Sequence, residues 1–240
     1  ALRQIINNIK NNPALYDFTS DDGVRHQVWK VDNRGYIDNI SQLFKEIPHL
    51  YIADGHHRAA SAVRVGQMRR AANPDNTGAE EYNYFLSVLF SSDELKIYDY
   101  NRVITDRNGC TFDAFLDKIK GGFEIRKIGT KAYHPAHKGE FGLYFRKNWY
   151  QVITSPELMS DDPVKGLDVS ILQDHILAPV FGITHPKTDP RIRFIGGIRG
   201  PGALEEAADA SDGIAFSMYP TTMDELLSVA DAGMLMPPKS

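Results

Sequence analysis

Residues 49–70 read HLYIADGHHRAASAVRVGQMRR, and this stretch decides the fold. The apolar run over 49–54 predicts a strand, Asp54-Gly55 a tight turn, and the residues up to Arg70 a helix. The first N–H groups of a helix have no partner within it and lie at the positive end of its dipole. A strand–turn–helix of this kind is therefore a candidate anion site. Gly55 permits close backbone approach and a left-handed φ. His56, His57 and Arg58 add side-chain donors, and a guanidinium grips phosphate through a two-pronged fork. From Gly55 to Pro74 the chain holds Arg58, Arg64, Arg69 and Arg70 and no Asp or Glu, so the segment is locally cationic. The plainer reading is a helix capped by Asp54, with the histidines on its first turn and the arginines as a solvated face.

Outward from this stretch, strand and helix signals alternate. Leu2, Ile5, Ile6 and Ile9 form a helical stripe. PALYDFT (13–19) and VRHQVWKV (24–31) flank Asp21-Asp22-Gly23 and predict a hairpin. A helix is expected over 36–47. YNYFLSVLFSS (82–92) and LKIYDYNRVI (95–104) read as strands, and 113–119 as a short helix. FEIRKI, EFGLYFR and WYQVIT read as sheet, then a helix over 164–178 that stops before Pro179, with His175 near its apolar stripe. A strand over 191–197, a helix from Pro201, the strand GIAFSMY and a last helix with a Thr222/Glu225 capping box complete the chain. The pattern predicts an α/β or α+β fold with a mixed sheet. The weakest seam lies near 105–110, dividing the chain into 1–105, which carries the DGHHR turn, and 106–240, a second α/β subdomain.

The composition narrows the function classes. The 240 residues carry a net charge of −4, against the basic balance usual for proteins that coat nucleic acid or anionic membranes. No apolar run reaches the roughly 18 residues of a membrane helix. One cysteine, Cys110, excludes a disulfide scaffold and favours a reducing, cytoplasmic setting. No signal peptide is read. The chain opens on Ala1 already in a helical pattern, as a piece of a longer protein would.

IADGHHRAA, Asn101-Arg102-Val103 in DYNRV, LDVSILQDHIL (167–177), FIGGIRG (194–200) and the terminal MPPKS (236–240) occur in the order of a known set of signatures. The chain resembles the domain-of-unknown-function 1015 family over essentially its whole length. Members are longer, which implies an N-terminal segment and a short C-terminal tail beyond these residues. More distantly the family is similar to the ParB/sulfiredoxin-like fold, whose shared strand–turn–helix binds nucleotide phosphates. Sulfiredoxin carries Gly-Cys-His-Arg there; here His56 stands where the nucleophilic Cys would be, which argues against sulfinic-acid reduction. ParB proteins carry Gly-Glu-Arg-Arg, matched only by Gly55 and Arg58. Free-serine kinases carry Asp-Gly-His-Thr-Arg, matched by Asp54, Gly55, His56 and Arg58 with His57 in place of Thr.

The resemblance implies a phosphotransferase (kinase-like) or nucleotide hydrolase. Phosphoryl transfer needs positioning and charge neutralisation, usually with Mg2+. Asp54, His56 and His57 are the catalytic candidates; Gly55, His56, His57 and Arg58 are the phosphate-binding ones. The expected ligands are ATP/ADP or CTP with Mg2+, and a small-molecule acceptor. The kinases' general base is an upstream carboxylate, to which no residue here is assigned. Asn101 and Arg102 at a strand end, and the turn of Gly196, Gly197 and Arg199, are secondary candidates, the turn as a cradle for phosphate or carboxylate. MPPKS ends in a cation able to close over an anion, or is a solvated tail. No metal site is read. The alternative is a ParB-like, nucleotide-dependent regulator of chromosome partitioning or transcription, without catalysis.

Overall fold

In the computed structural model, which describes residues 1–238, the chain divides at Leu86/Ser87 into two units. Lys239 and Ser240, the end of the MPPKS signature, lie outside the described residues. The division falls ahead of the seam expected near 105. The reason is that Tyr100–Ile104 is an interior strand of the second unit's sheet.

The first unit holds helix α1 (Leu2–Lys10), strands β1 (Tyr16–Thr19) and β2 (Arg25–Val28), and helices α2 (Arg34–Lys45) and α3 (His56–Ala72). β1 and β2 form the expected hairpin, with Tyr16 opposite Val28 and Thr19 opposite Arg25. Its turn is closed by Gly23 at φ +82° and by the Val24 N–H donated to Asp22 Oδ1. Alternation puts Tyr16, Phe18, His26 and Val28 on one face and Asp17, Arg25 and Gln27 on the other. On that polar face Arg25 grips Asp17 at 2.8 and 2.6 Å, which holds the Asp17 carboxyl below its usual value. Asn33 caps α2 by accepting the Tyr36 N–H at 3.2 Å.

Two expected strands do not form. Residues 49–53 and 84–90 are irregular, and their apolar side chains are exposed, Leu86 to 94%. A strand exists only when a neighbour takes up its backbone groups; the first unit's one sheet among the described residues, β1–β2, adds none to either run. Only Ile9 and Gly66 are buried among the residues of this unit.

The second unit contains β3 (Tyr100–Ile104), α4 (Phe112–Ile119), β4 (Phe123–Gly129), β5 (Glu140–Phe145), β6 (Asn148–Thr154), α5 (Asp168–Leu172), a π-turn (Gln173–Leu177), α6 (Ala178–Phe181), β7 (Ile192–Gly196), α7 (Pro201–Asp209), β8 (Ile214–Met218) and α8 (Met223–Asp231). Its sheet runs β4-β6-β5-β8-β3-β7, and every ladder is antiparallel. Helices and antiparallel sheet together make the fold α+β, one of the two classes the sequence left open.

Successive residues of a strand point to opposite faces, so Val103 and Ile104 enter different cores. Val103 joins Tyr144, Trp149, Leu204 and Ala208 beneath α7. Ile104 joins Phe115, Ile119, Leu172, Phe181 and Val229 from α4, α5, α6 and α8. Burying a Phe or Leu side chain contributes about 1.5–3 kcal/mol, so these two clusters carry most of the second unit's stability.

The helix expected over 164–178 instead begins at Asp168 and runs past Pro179. The π-turn takes the Ala178 N–H to Gln173 O, and Pro179, with no N–H to place, follows without loss. Gly182 at φ +70° ends the run. Arg191 then caps it, donating to Phe181 O at 2.9 Å and Gly182 O at 3.2 Å. His175 is exposed, so the core position expected for it is not realised. The Thr222/Glu225 capping box opens α8 as read.

Candidate functional site

In the first unit, Gly55 is the N-cap of α3 at φ +81°, ψ +29°, the left-handed conformation expected. The first intrahelical bond runs from the Ala59 N–H to Gly55 O at 2.9 Å. The N–H groups of His56, His57 and Arg58 precede it and open the helix without helical partners. No side chain caps this end, so Asp54 does not play the plain capping role. It faces Arg58 instead, with Nη2 3.4 Å from Oδ2, and the two side chains (Arg58 and Asp54) are 84% and 93% exposed.

Arg58 folds back over the turn. A Cβ built on Gly55 would stand 3.0 Å from its Nη2 and 3.3 Å from its Nε. The bend is therefore open to water, roofed by a guanidinium and floored by helix-terminal N–H groups, with His56 and His57 exposed beside it. The Asp54–Arg58 contact is a weak rival to a phosphate, since exposed pairs contribute about 0.2–1 kcal/mol.

The secondary candidates fall in the second unit, where they divide by role. Asn101 is buried and its amide is committed at both ends. Its Oδ1 accepts the Met218 N–H at 2.8 Å and its Nδ2 donates to Asp99 Oδ2 at 2.7 Å. It braces β3 against β8. Arg102 is 4% exposed, stacks 5.5 Å from the Phe194 ring and donates from Nη1 to Tyr100 O. Burial pulls its guanidinium down to about 10, still protonated at neutral pH.

The glycine turn does not hold an empty cradle over Gly197. The Asp99 carboxylate lies there, and the Gly197 N–H is donated to Asp99 O at 2.8 Å. Arg199 is exposed on the short turn that follows. A carboxylate in that place repels the anion proposed for it.

Sequence reasoning passed over Asp99, although it opens the quoted DYNRV, and Asp168, which opens α5. Asp168 is 7% exposed. Its Oδ1 accepts the Gly139 N–H at 2.9 Å, while its buried Oδ2 has no hydrogen-bond partner. Burial is the main cause that pushes its carboxyl up to about 6; the Gly139 N–H opposes the shift and the nearby Glu225 adds to it. Among the described residues no group of three or more His, Cys, Asp or Glu side chains could hold a metal, and no helix is long and apolar enough to cross a membrane.

No functionally curated protein matches the sequence. One solved structure similar to the chain is that of a mutant free serine kinase in complex with AMP. It is 17% identical, with 88% of this chain and 79% of that chain covered, at a TM-score of 0.37. A family profile described as "Protein of unknown function (DUF1015)" matches residues 1–170. The signatures IADGHHRAA and DYNRV both lie inside that match, and the chain belongs to the DUF1015 family.

Proposed function

We propose that the Asp54–Arg58 turn binds the phosphates of a nucleotide, and that the protein is a cytoplasmic phosphoryl-transfer enzyme acting on a small molecule. The observation that carries the reading is the left-handed Gly55 N-cap, which opens a 17-residue helix beneath the folded-back guanidinium of Arg58. Three features support it: helix-terminal N–H groups, a fork-shaped cation, and a helix of four arginines with no acid. The sequence resemblance of Asp54-Gly55-His56-His57-Arg58 to the free-serine kinase turn adds the reaction class.

In this reading Gly55 lets the phosphate approach the backbone. Arg58 and His56 neutralise its oxygens, and His57 orients the group to be transferred. Asp54 is the one carboxylate of the turn, and its exposed pair with Arg58 holds it only weakly. Mg2+ is commonly held by one carboxylate together with phosphate oxygens, so this donor set fits that ion. The metal would supply charge neutralisation at the phosphates.

Calorimetric titration with ATP, ADP and CTP, each with and without Mg2+, tests the reading. Saturable binding that weakens in Arg58→Ala by about tenfold or more is expected for a charge-assisted fork. No binding, or the same affinity in the variant, overturns it. Phosphate release or transfer from the bound nucleotide then separates an enzyme from a regulator that only binds.

A further inference from the structure

We propose that Asp168, Lys138 and Glu225 of the second unit form a proton-operated latch between the loop that leads into β5 and the first turn of α8. It is fastened while Asp168 carries a proton and slackens when Asp168 is charged. It stands apart from the reading of Asp54–Arg58, and either can fail without the other.

Three parts of the fold meet at the latch. Asp168 opens α5, is 7% exposed, and its Oδ1 accepts the Gly139 N–H at 2.9 Å. Lys138, the residue before Gly139, reaches α8 and pairs with Glu225 at 2.7 Å. Glu225 belongs in turn to the capping box. Its Oε2 accepts the Thr222 N–H at 2.9 Å and the Thr222 hydroxyl at 3.0 Å. One ion pair thus ties the loop over 130–139 to the start of α8, one peptide away from a buried carboxyl.

Asp168 is the member of the cluster whose charge changes. Its Oδ2 is buried with no hydrogen-bond partner. An ionised carboxylate needs donors at both oxygens, so the charged form is costly in this place. Burial is the main cause that pushes the carboxyl up to about 6; the Gly139 N–H opposes it, Glu225 adds to it, and Lys138 and His137 oppose it. Glu225 behaves differently. Its burial works against the charge, yet the Lys138 ammonium and the Thr222 donors hold it below its usual range, so it stays ionised while Asp168 titrates.

The two states follow from counting charges. The groups that face Asp168 are Glu225 from α8 and Lys138 and His137 from the loop. Below about pH 6, with Asp168 neutral, Lys138 and Glu225 are one ammonium matched to one carboxylate. Above it, two carboxylates share that ammonium. Lys138 is drawn toward Asp168 and Glu225 is pushed from it, and both movements open the 2.7 Å contact. Val229, further along α8, is 1% exposed in the core. The far half of the helix therefore stays seated, and its first turn is the part that responds.

The test is NMR on the full chain at constant ionic strength, from about pH 5 to about pH 8. The side-chain carboxyl carbon of Asp168 reports its proton. Exchange of the Thr222, Glu225 and Leu226 N–H groups, which all bond within the capping turn, reports the first turn of α8 after correction for the intrinsic pH dependence of exchange. Protection of these groups should fall about two- to fivefold as Asp168 loses its proton, the worth of a partly exposed pair. In Asp168→Asn the step should vanish. In Lys138→Met protection should be low throughout, and the Asp168 midpoint should move up; in Glu225→Gln that midpoint should move down. His137→Gln should leave the step in place. No step in the parent, a step that survives Asp168→Asn or disappears in His137→Gln, or an unmoved Asp168 midpoint in Lys138→Met overturns the proposal. If Asp168→Asn does not fold, the opposite midpoint shifts in Lys138→Met and Glu225→Gln decide the matter.

Discussion

Asp99 presses on Gly197 so closely that a Cβ at position 197 would stand 1.8 Å from its Oδ1. The turn that looks like an anion cradle in the sequence is therefore occupied by the protein's own carboxylate. Gly197→Ala must displace Asp99 and break its 2.7 Å bond from Asn101. The expected loss is about 1–3 kcal/mol, the usual cost of overpacking, read as a lower urea midpoint with an unchanged slope. A variant as stable as the parent would show that Asp99 moves freely.

Asn101→Ala should behave as a structural lesion and nothing more. It leaves the Met218 N–H unpaired inside the sheet and removes the donor that holds Asp99. A loss of about 2–4 kcal/mol is expected from two broken buried bonds, one of them to a carboxylate. Nucleotide affinity should be unchanged in the folded fraction. A selective loss of binding with stability intact would restore Asn101 to the list of ligand contacts.

Asp54→Asn separates the two roles given to that carboxylate. Without Mg2+ the variant frees Arg58 from a competitor, and nucleotide should bind about two- to fivefold more tightly, the worth of an exposed pair. With Mg2+ the variant lacks a metal ligand, and binding should weaken instead. Opposite signs in the two calorimetric series support the assignment; the same sign in both would remove Asp54 from the metal.

Asp168 makes the second unit's stability depend on pH. Its folded carboxyl titrates at about 6, above the ordinary value of 3.8, because burial disfavours the charge. The folded chain therefore holds this proton more tightly than the unfolded chain does. The resulting stabilisation is fully present below about pH 4 and is lost as pH rises through about 6. A carboxyl raised this far corresponds to about 3 kcal/mol between its two protonation states. Asp168→Asn keeps an acceptor for the Gly139 N–H and carries no charge. It should match the parent near pH 4 and exceed it by up to about 3 kcal/mol at pH 8 in denaturant unfolding. Equal stability of the two proteins at pH 8 would mean that Lys138 already neutralises the site.

What the sequence made legible was local. The Leu2–Lys10 stripe, the Asp22-Gly23 turn, the Thr222/Glu225 box and the left-handed Gly55 all depend on neighbours within a few residues, and each appears in place. The runs at 49–54 and 82–92 have strand composition, yet a strand is completed by a partner elsewhere in the chain, and composition does not supply one. Pro179 reads as a stop because the π-turn ahead of it leaves no mark in the pattern of apolar residues. The turn at Gly196-Gly197 misled for a related reason: what fills it comes from Asp99, nearly a hundred positions away. Gln173 gave no signal at all, since an amide on a helix is ordinary until its oxygen is found buried.

The position of β8 has a consequence for how the chain comes to be folded. It is the last of the sheet's strands to be synthesised, yet it pairs with β5 on one side and β3 on the other. Before it arrives, the sheet is two separate ribbons, β4-β6-β5 and β3-β7, each with an open edge where residues 214–218 belong. Such edges are templates for wrong pairing. On a ribosome both ribbons must wait for the final strand to clear the exit tunnel, and that interval is when a nascent chain of this topology most needs a chaperone.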